Sequence, residues 1–117
     1  MNDHVLFKFR LYIADDAQNG AEARSNLFKL CRTYLPDQHE IEIVDVLLVP
    51  KRALTDGIFM TPTLIKVSPP PVRRIVGTLS QIETVLLILR RELELVMRQA
   101  GTIDVSKITP QHVTASV

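Results

Sequence analysis

The residue types that most often carry chemistry are sparse in this chain of 117 residues. Its single cysteine, Cys31, excludes an internal disulfide, a Cys-x-x-Cys pair and a metal cluster built from cysteines. Cys31 falls on the apolar face of a predicted helix, where a free cysteine usually packs as a small hydrophobic side chain. We therefore expect a buried, unreactive thiol, and we exclude dithiol exchange.

The other candidate groups do not form a catalytic constellation either. The three histidines are far apart in sequence, at His4, His39 and His112. No two of them have metal-ligand spacing, so we expect surface side chains. The pair Asp15-Asp16 is typical of a polar turn before a helix, and Ser80 has no neighbouring base. No G-x-x-x-x-G-K-[ST] motif occurs, so we predict a protein that is not an enzyme and needs no cofactor or metal.

Bulk composition limits the classes of partner. Hydrophobic residues make up 46% and charged residues 23% of the chain, which is ordinary for one globular domain. The net charge of +1 gives no broad field that would attract nucleic acid or an anionic membrane. Residues 1–10 contain several charges and no long apolar run, unlike a secretion signal or a membrane helix. A cytoplasmic protein is the expectation, in keeping with the lone cysteine.

Hydrophobic periodicity predicts seven elements. Alternating apolar residues favour strands, whereas apolar steps of three and four favour helices. The predicted strands are 5–13, 41–47, 63–67 and 72–76, and the predicted helices are 21–34, 50–59 and a long one from 82 to beyond 96. A strand, a helix and a strand in succession predict parallel pairing, and the short link between the last two strands predicts an antiparallel pair.

The last helix has the clearest start. Ser80-Gln81-Ile82-Glu83 has the spacing of a capping box, in which Ser80 caps the helix and Glu83 reaches back to the cap. Gly101 is a plausible stop. We therefore predict one domain over residues 1–101 and a flexible C-terminal tail over residues 102–117.

The order β-α-β-α-β-β-α is that of a thioredoxin-like domain, a mixed α/β fold with helices on both faces of a central sheet. In a redox enzyme of that fold, a Cys-x-x-Cys pair would lie between the first strand and the first helix. This chain has no cysteine there. In such domains the proline before the third strand is usually cis; the spacing of Thr61-Pro62-Thr63 leaves a cis bond and an ordinary trans turn equally open.

The most unusual stretch is Ser68-Pro69-Pro70-Pro71-Val72-Arg73-Arg74. Three successive prolines fix the backbone φ angle and remove three amide donors. The two arginines behind them should point to opposite faces of a strand, with Lys66 on the facing strand. Two interpretations stay open: a cationic patch that binds a partner, or charged protection of a sheet edge.

These motifs resemble the KaiB family of circadian clock proteins. The similar residues are Arg10–Ile13, Val44–Leu47, Thr61–Leu64 and Pro69–Gly77, within a match over about residues 5–97. The resemblance implies a regulator without enzymatic activity that binds the ring-shaped ATPase and kinase KaiC and alters its phosphorylation state. It also implies sequestration of the activator KaiA, competition with a sensor histidine kinase, and a homo-oligomer, either a dimer or a tetramer.

The resemblance further implies site residues and a change of fold. Lys66, Arg73 and Arg74 fall on family positions linked to ring binding. Family members also switch between a thioredoxin-like monomer and a different ground-state fold. Candidates for the fold switch or for cis bonds are Pro62, Pro69, Pro70, Pro71, Gly77 and Thr78.

The sequence departs from the family pattern at several positions. Asp15-Asp16 and Thr78 differ from the usual residues, and an acidic tail is replaced by residues 102–117. These departures suggest a diverged, KaiB-like member that serves circadian timing or a stress response. A thioredoxin-like adaptor or sensor module that acts on a histidine kinase is the alternative.

Overall fold

The computed structural model describes residues 6–14 and 17–94. Its elements follow the predicted order, and except for the last helix their bounds lie within a few residues of the predicted ones. They are β1 (Phe7–Ile13), α1 (Gln18–Tyr34), β2 (His39–Asp45), α2 (Pro50–Thr55), β3 (Thr63–Ser68), β4 (Arg73–Val76) and α3 (Ile82–Ile88).

The four strands form one mixed sheet of order β2-β1-β3-β4. β1 pairs with β2 in parallel, as the intervening helix predicts, while β3 is antiparallel to both β1 and β4. Side chains alternate along each strand, so Phe7, Phe9 and Leu11 share one face and Arg10 and Tyr12 share the other. The alternation that identified β1 therefore also assigns its side chains to the two faces.

Helix α1 packs on the face that carries Phe7, Phe9 and Leu11. Its buried residues Ala23, Leu27, Leu30 and Cys31 recur at helical spacing. Gly20 allows the closest approach, because a Cβ atom there would lie 3.0 Å from Cβ of Ile13. A larger residue at that position would push the start of α1 away from β1.

Helix α2 covers the opposite face of the sheet through a small apolar cluster. Tyr12, Val44, Ala53 and Ile65 are buried together, with partly buried Val46, Ile58 and Val67 packed against them. Ala53 is the buried residue of α2, so this short helix rests on the sheet by a single small contact side chain. Its position must depend on other interactions, which are described below.

Three details differ from the sequence prediction. Helix α2 ends at Thr55, and Gly57 follows with a φ of 67° that glycine adopts without strain. The predicted capping box was wrong, because the N-cap of α3 is Gln81 and no side chain caps it. The continuous last helix is interrupted at Leu89, and residues 90–94 are helical again. Val96, Gly101 and the predicted tail lie outside the described residues.

The chain divides into two compact units, one of Leu6–Ser80 and one that includes the segment from Gln81 onward. The first unit contains the whole sheet together with α1 and α2, and the second contains α3. Among the described residues, no helix combines the length and the apolar character needed to cross a membrane.

Candidate partner-binding surface

Strand β4 places its two arginines on opposite faces of the sheet. Arg73 is half-buried and pairs with Lys66 of β3, whereas Arg74 is exposed and pairs with Ile65. Lys66 is only 1% exposed, and its Nζ lies 6.0 Å from the centre of the Phe7 ring. The sequence-based hypothesis of one exposed cationic patch that includes Lys66 does not fit this structure, because the face of β3 that carries Lys66 is covered.

The side chain of Arg74 holds the end of α2. Its guanidinium donates hydrogen bonds to the backbone carbonyl oxygens of Asp56 and of Gly57, the latter at 3.4 Å. Carbonyls at the C-terminus of a helix lack partners within the helix and carry partial negative charge, so a cation stabilises them. Arg74 therefore joins β4 to the end of α2.

Five side chains form what we call the charge network: Arg10, Tyr12, Glu42, Arg52 and Asp56. Arg10 bridges two carboxylates, with Nε 3.0 Å from Oε1 of Glu42 and Nη1 2.9 Å from Oδ2 of Asp56. Arg52 binds both oxygens of Glu42, at 2.5 and 3.0 Å. Such a paired geometry fits the planar guanidinium to the carboxylate. The network links β1, β2 and α2.

The charge network changes the acidity of its members. Hydrogen bonds from Arg52 and Arg10 lower the pKa of the Glu42 carboxyl to about 2. The Tyr12 hydroxyl donates to the Asp56 carboxylate, and this bond together with Arg10 lowers the pKa of Asp56. Burial and the same carboxylate raise the pKa of Tyr12. Both carboxylates are thus kept ionised, and they hold α2 against the sheet.

No sequence pattern pointed to this network. The one available signal was the parallel pairing of β1 with β2, which places Arg10 opposite Glu42. Asp56 follows α2 and meets Arg10 from 46 positions away. A cleft of about 290 Å³ beside the network is lined by Arg10, Lys51, Arg52, Thr55 and Asp56. Its two arginines already have carboxylate partners.

A group of exposed apolar side chains surrounds Arg74. The exposed fractions are 95% for Phe59, 58% for Met60, 60% for Val72 and 57% for Val76. Val72 and Val76 lie two positions from Arg74 on either side, and so share its face of the sheet. Met60 is close to Val76, because the Thr63 hydroxyl donates to the Met60 carbonyl at 2.6 Å and Thr63 pairs with Val76. We call these five residues the Arg74 surface.

The remaining candidates have structural surroundings. Cys31 is fully buried, and burial raises the pKa of its thiol to about 12. His39 lies at the start of β2, with Nδ1 2.7 Å from the Leu35 carbonyl oxygen. Within residues 6–14 and 17–94, no three metal-binding side chains cluster. Asp15, Asp16, His4 and His112 lie outside the described residues.

The proline-rich segment and its neighbours have special backbone geometry. The Thr61–Pro62, Ser68–Pro69 and Pro70–Pro71 bonds are cis. Gly77 has a φ of 116°, a value that only glycine adopts readily, and its amide donates to the Pro62 carbonyl at 2.9 Å. The Thr78 carbonyl accepts a hydrogen bond of 2.8 Å from the Asn26 side chain. These bonds join the end of β4 to the start of β3 and to α1.

The strand order and the parallel β1–β2 pair define a thioredoxin-like fold, in a sequence with a single cysteine. Solved structures agree on the fold. The N-terminal domain of SasA from Synechococcus elongatus matches with a TM-score of 0.64 and 11% identity, over 89% of this chain and 94% of that domain. Thioredoxin 1 from Thermosipho africanus matches with a TM-score of 0.62 and 20% identity, over 75% and 96% of the two chains.

The family follows from sequence. Residues 10–91 match the KaiB domain, and this chain belongs to the KaiB family. It is 46% identical to the circadian clock protein KaiB3 of Synechocystis sp., over 74% of this chain and 82% of that protein. It is 38% identical to the circadian clock oscillator protein KaiB of Prochlorococcus marinus, over 74% and 81% of the two chains. The predicted family and the thioredoxin-like fold are both confirmed.

Proposed function

We propose that this KaiB-family protein is a regulator that binds a KaiC-like ring ATPase and changes the phosphorylation state or signalling of that ring. The observation that supports this proposal most is the family match over residues 10–91, which includes the whole β3–β4 region. The proposed contact residues are Arg73 and Arg74. Lys66 would join them only in a conformation that uncovers it.

The proposal extends to the setting in which the protein acts. It works in the cytoplasm, without a cofactor, in circadian timing or in a stress response. It forms a dimer or tetramer, and KaiA is a further partner. The segment around Pro69, Pro70, Pro71, Gly77 and Thr78 would take part in a change to the second fold of the family.

Size-exclusion chromatography tests the proposal directly. The full chain is run alone and with a KaiC ring in the presence of ATP or ADP. Co-elution with the ring is expected, and the double variant Arg73→Ala/Arg74→Ala should co-elute less. Failure of the unaltered chain to bind any KaiC-type ring would remove the proposed function. Unchanged binding of the double variant would remove only the proposed site.

A second candidate is an adaptor or sensor module that acts on a histidine kinase. The similarity of fold to the SasA N-terminal domain favours it. Adding that SasA domain to the chromatography experiment separates the two functions. Displacement of this chain from the ring indicates a shared site on KaiC, whereas direct association of the two small domains supports the adaptor.

A further inference from the structure

The charge of the chain is distributed unevenly around the Arg74 surface. Residues 57–82 contain three basic residues and no acidic one, whereas the rest of the chain contains 11 basic and 13 acidic residues. Lys66 is buried and Arg73 is half-buried on the opposite face, so the exposed positive charge beside these apolar side chains is that of Arg74. The five residues of the Arg74 surface thus include one positive charge and no carboxylate, which complements an apolar surface bordered by carboxylates.

The role of Arg74 in this surface differs from that of its apolar neighbours. Its guanidinium already binds the carbonyl oxygens of Asp56 and Gly57. That attachment fixes the chain just before Phe59 and Met60 beside β4, which follows Val72 and ends at Val76. Arg74 thus positions the apolar side chains, and they are the groups with solvent-exposed area to bury against a partner.

Resting on the proposed function, we propose that Phe59, Met60, Val72 and Val76 form the main contact with the ring partner, at a site that is apolar and edged by Asp or Glu. The affinity comes from burial of these four side chains, and the positive border gives orientation. Arg74 contributes chiefly by holding the end of α2 and the Phe59–Met60 segment against β4.

The same observations argue against other occupants. A second copy of this surface would bring another Arg74 and no carboxylate, so it offers no complementary charge. Residues 95–117 contain one acidic residue, Asp104, and two basic ones, so they offer little complementary charge. A membrane surface generally attracts clusters of four to eight basic residues, roughly, and this surface has one, Arg74. A folded protein partner is the occupant that fits.

The decisive experiment compares glutamate substitutions inside and outside the surface. Affinity for a KaiC ring with ATP is measured by biolayer interferometry for the unaltered chain, Met60→Glu, Val76→Glu and Leu48→Glu. Leu48 is a matched control, because it is an exposed apolar residue, 78% exposed, outside the surface. We expect a loss of about tenfold or more for Met60→Glu and Val76→Glu and little change for Leu48→Glu. Circular dichroism checks that each variant folds.

The charge of the partner site is tested at one position. Met60→Lys removes the same apolar contact as Met60→Glu but adds a positive charge. A smaller loss for Met60→Lys than for Met60→Glu supports the acidic border, and equal losses would overturn it. Vesicles of phosphatidylserine and phosphatidylcholine are the third arm. Vesicle binding that Met60→Glu abolishes, with ring binding intact, would replace the protein partner by a membrane.

The outcomes separate this inference from the proposed function. If the unaltered chain binds the ring and only Leu48→Glu weakens it, the function holds and the contact lies near the start of α2 instead. If all three glutamate variants weaken binding equally, the effect is one of added charge, and the assigned surface is wrong. If the unaltered chain does not bind, both proposals fall.

Discussion

The charge network and the Arg74 surface lie on the same face of the sheet, but the side chains of the first are paired with one another and those of the second are exposed. In the network, Arg10 binds the carboxylates of Glu42 and Asp56, and Arg52 binds that of Glu42. Each of these contacts is within hydrogen-bond distance. In the Arg74 surface, Phe59 and its apolar neighbours are more than half exposed. The first region therefore holds α2 in place, and the second leaves area available for a partner.

This contrast separates the two kinds of arginine in the chain. Arg10 and Arg52 are satisfied by carboxylates, whereas Arg74 is satisfied by backbone carbonyl oxygens at the end of α2. A charged residue near an interface is therefore not automatically a contact residue. Its substitution can weaken binding by releasing the segment that carries the real contacts.

The largest effect that would test the contrast is expected at Asp56. Asp56→Ala removes the carboxylate that accepts from the Tyr12 hydroxyl and from one end of Arg10, and leaves the hydroxyl only a longer bond of 3.3 Å to the Arg52 carbonyl. We expect the free energy of unfolding to fall by about 2 kcal/mol, measured by urea denaturation. Glu22→Ala is the control, because Glu22 is exposed on α1, and it should change stability by less than about 0.5 kcal/mol. Equal stability of the two variants would contradict a structural role for the network.

A smaller loss is expected at Arg74. Arg74→Ala removes two charge-assisted hydrogen bonds to the end of α2, and we expect a loss of about 1 kcal/mol in unfolding free energy. Hydrogen exchange should increase at the amides of α2 and of residues 56–60. Exposed Arg91→Ala is the control and should leave those amides unchanged. Protection of α2 that stays the same in Arg74→Ala would show that Arg74 does not position this segment.

The acid response should depend on the network and not on the Arg74 surface. The pKa of Glu42 is lowered from 4.5 to about 2 in the folded chain, so its contribution to stability is present above pH 4.5 and is lost as the pH falls toward 2. Asp56 acts in the same direction. Urea denaturation between pH 6 and 2.5, roughly the range in which these groups titrate, should show a shallower acid loss for Glu42→Gln. Equal slopes for the two proteins would contradict the ion pairs.

The smallest effect on stability is expected in the Arg74 surface itself. Phe59 is 95% exposed, so Phe59→Ser should change the unfolding free energy by less than about 0.5 kcal/mol. Phe7→Ser, at a fully buried phenylalanine, is the contrasting variant and should destabilise the fold strongly. A clear loss of stability in Phe59→Ser would mean that this side chain is covered in solution.

The same contrast shows how far the sequence could be interpreted. Strands β1 and β3 were predictable because alternation and β-branched residues are local signals, and the order of elements followed from them. Pairing between Arg10 and Asp56 depends on how α2 lies over the sheet, which no local pattern encodes. Lys66 looked like a surface residue by type, but its register with Phe9 on β1 placed it on a covered face.

The candidate surface was only half visible for a similar reason. The two arginines after the prolines drew attention through their charge, whereas Phe59 looked like the end of a short helix and Met60 like the residue after it. That helix ends at Thr55, so both side chains fall in an irregular segment with nothing covering them. Exposure of an apolar residue depends on how the sheet and helices pack, so it can be identified only in the three-dimensional structure.

The surroundings of Cys31 have a practical consequence. A fully buried thiol with a pKa of about 12 carries almost no thiolate at neutral pH, and thiolate is the form that maleimide and disulfide reagents attack. Fluorophores or spin labels can therefore be attached through single substitutions such as Phe59→Cys while the native cysteine stays in place. Site-selective spectroscopy is therefore possible without replacing the native cysteine.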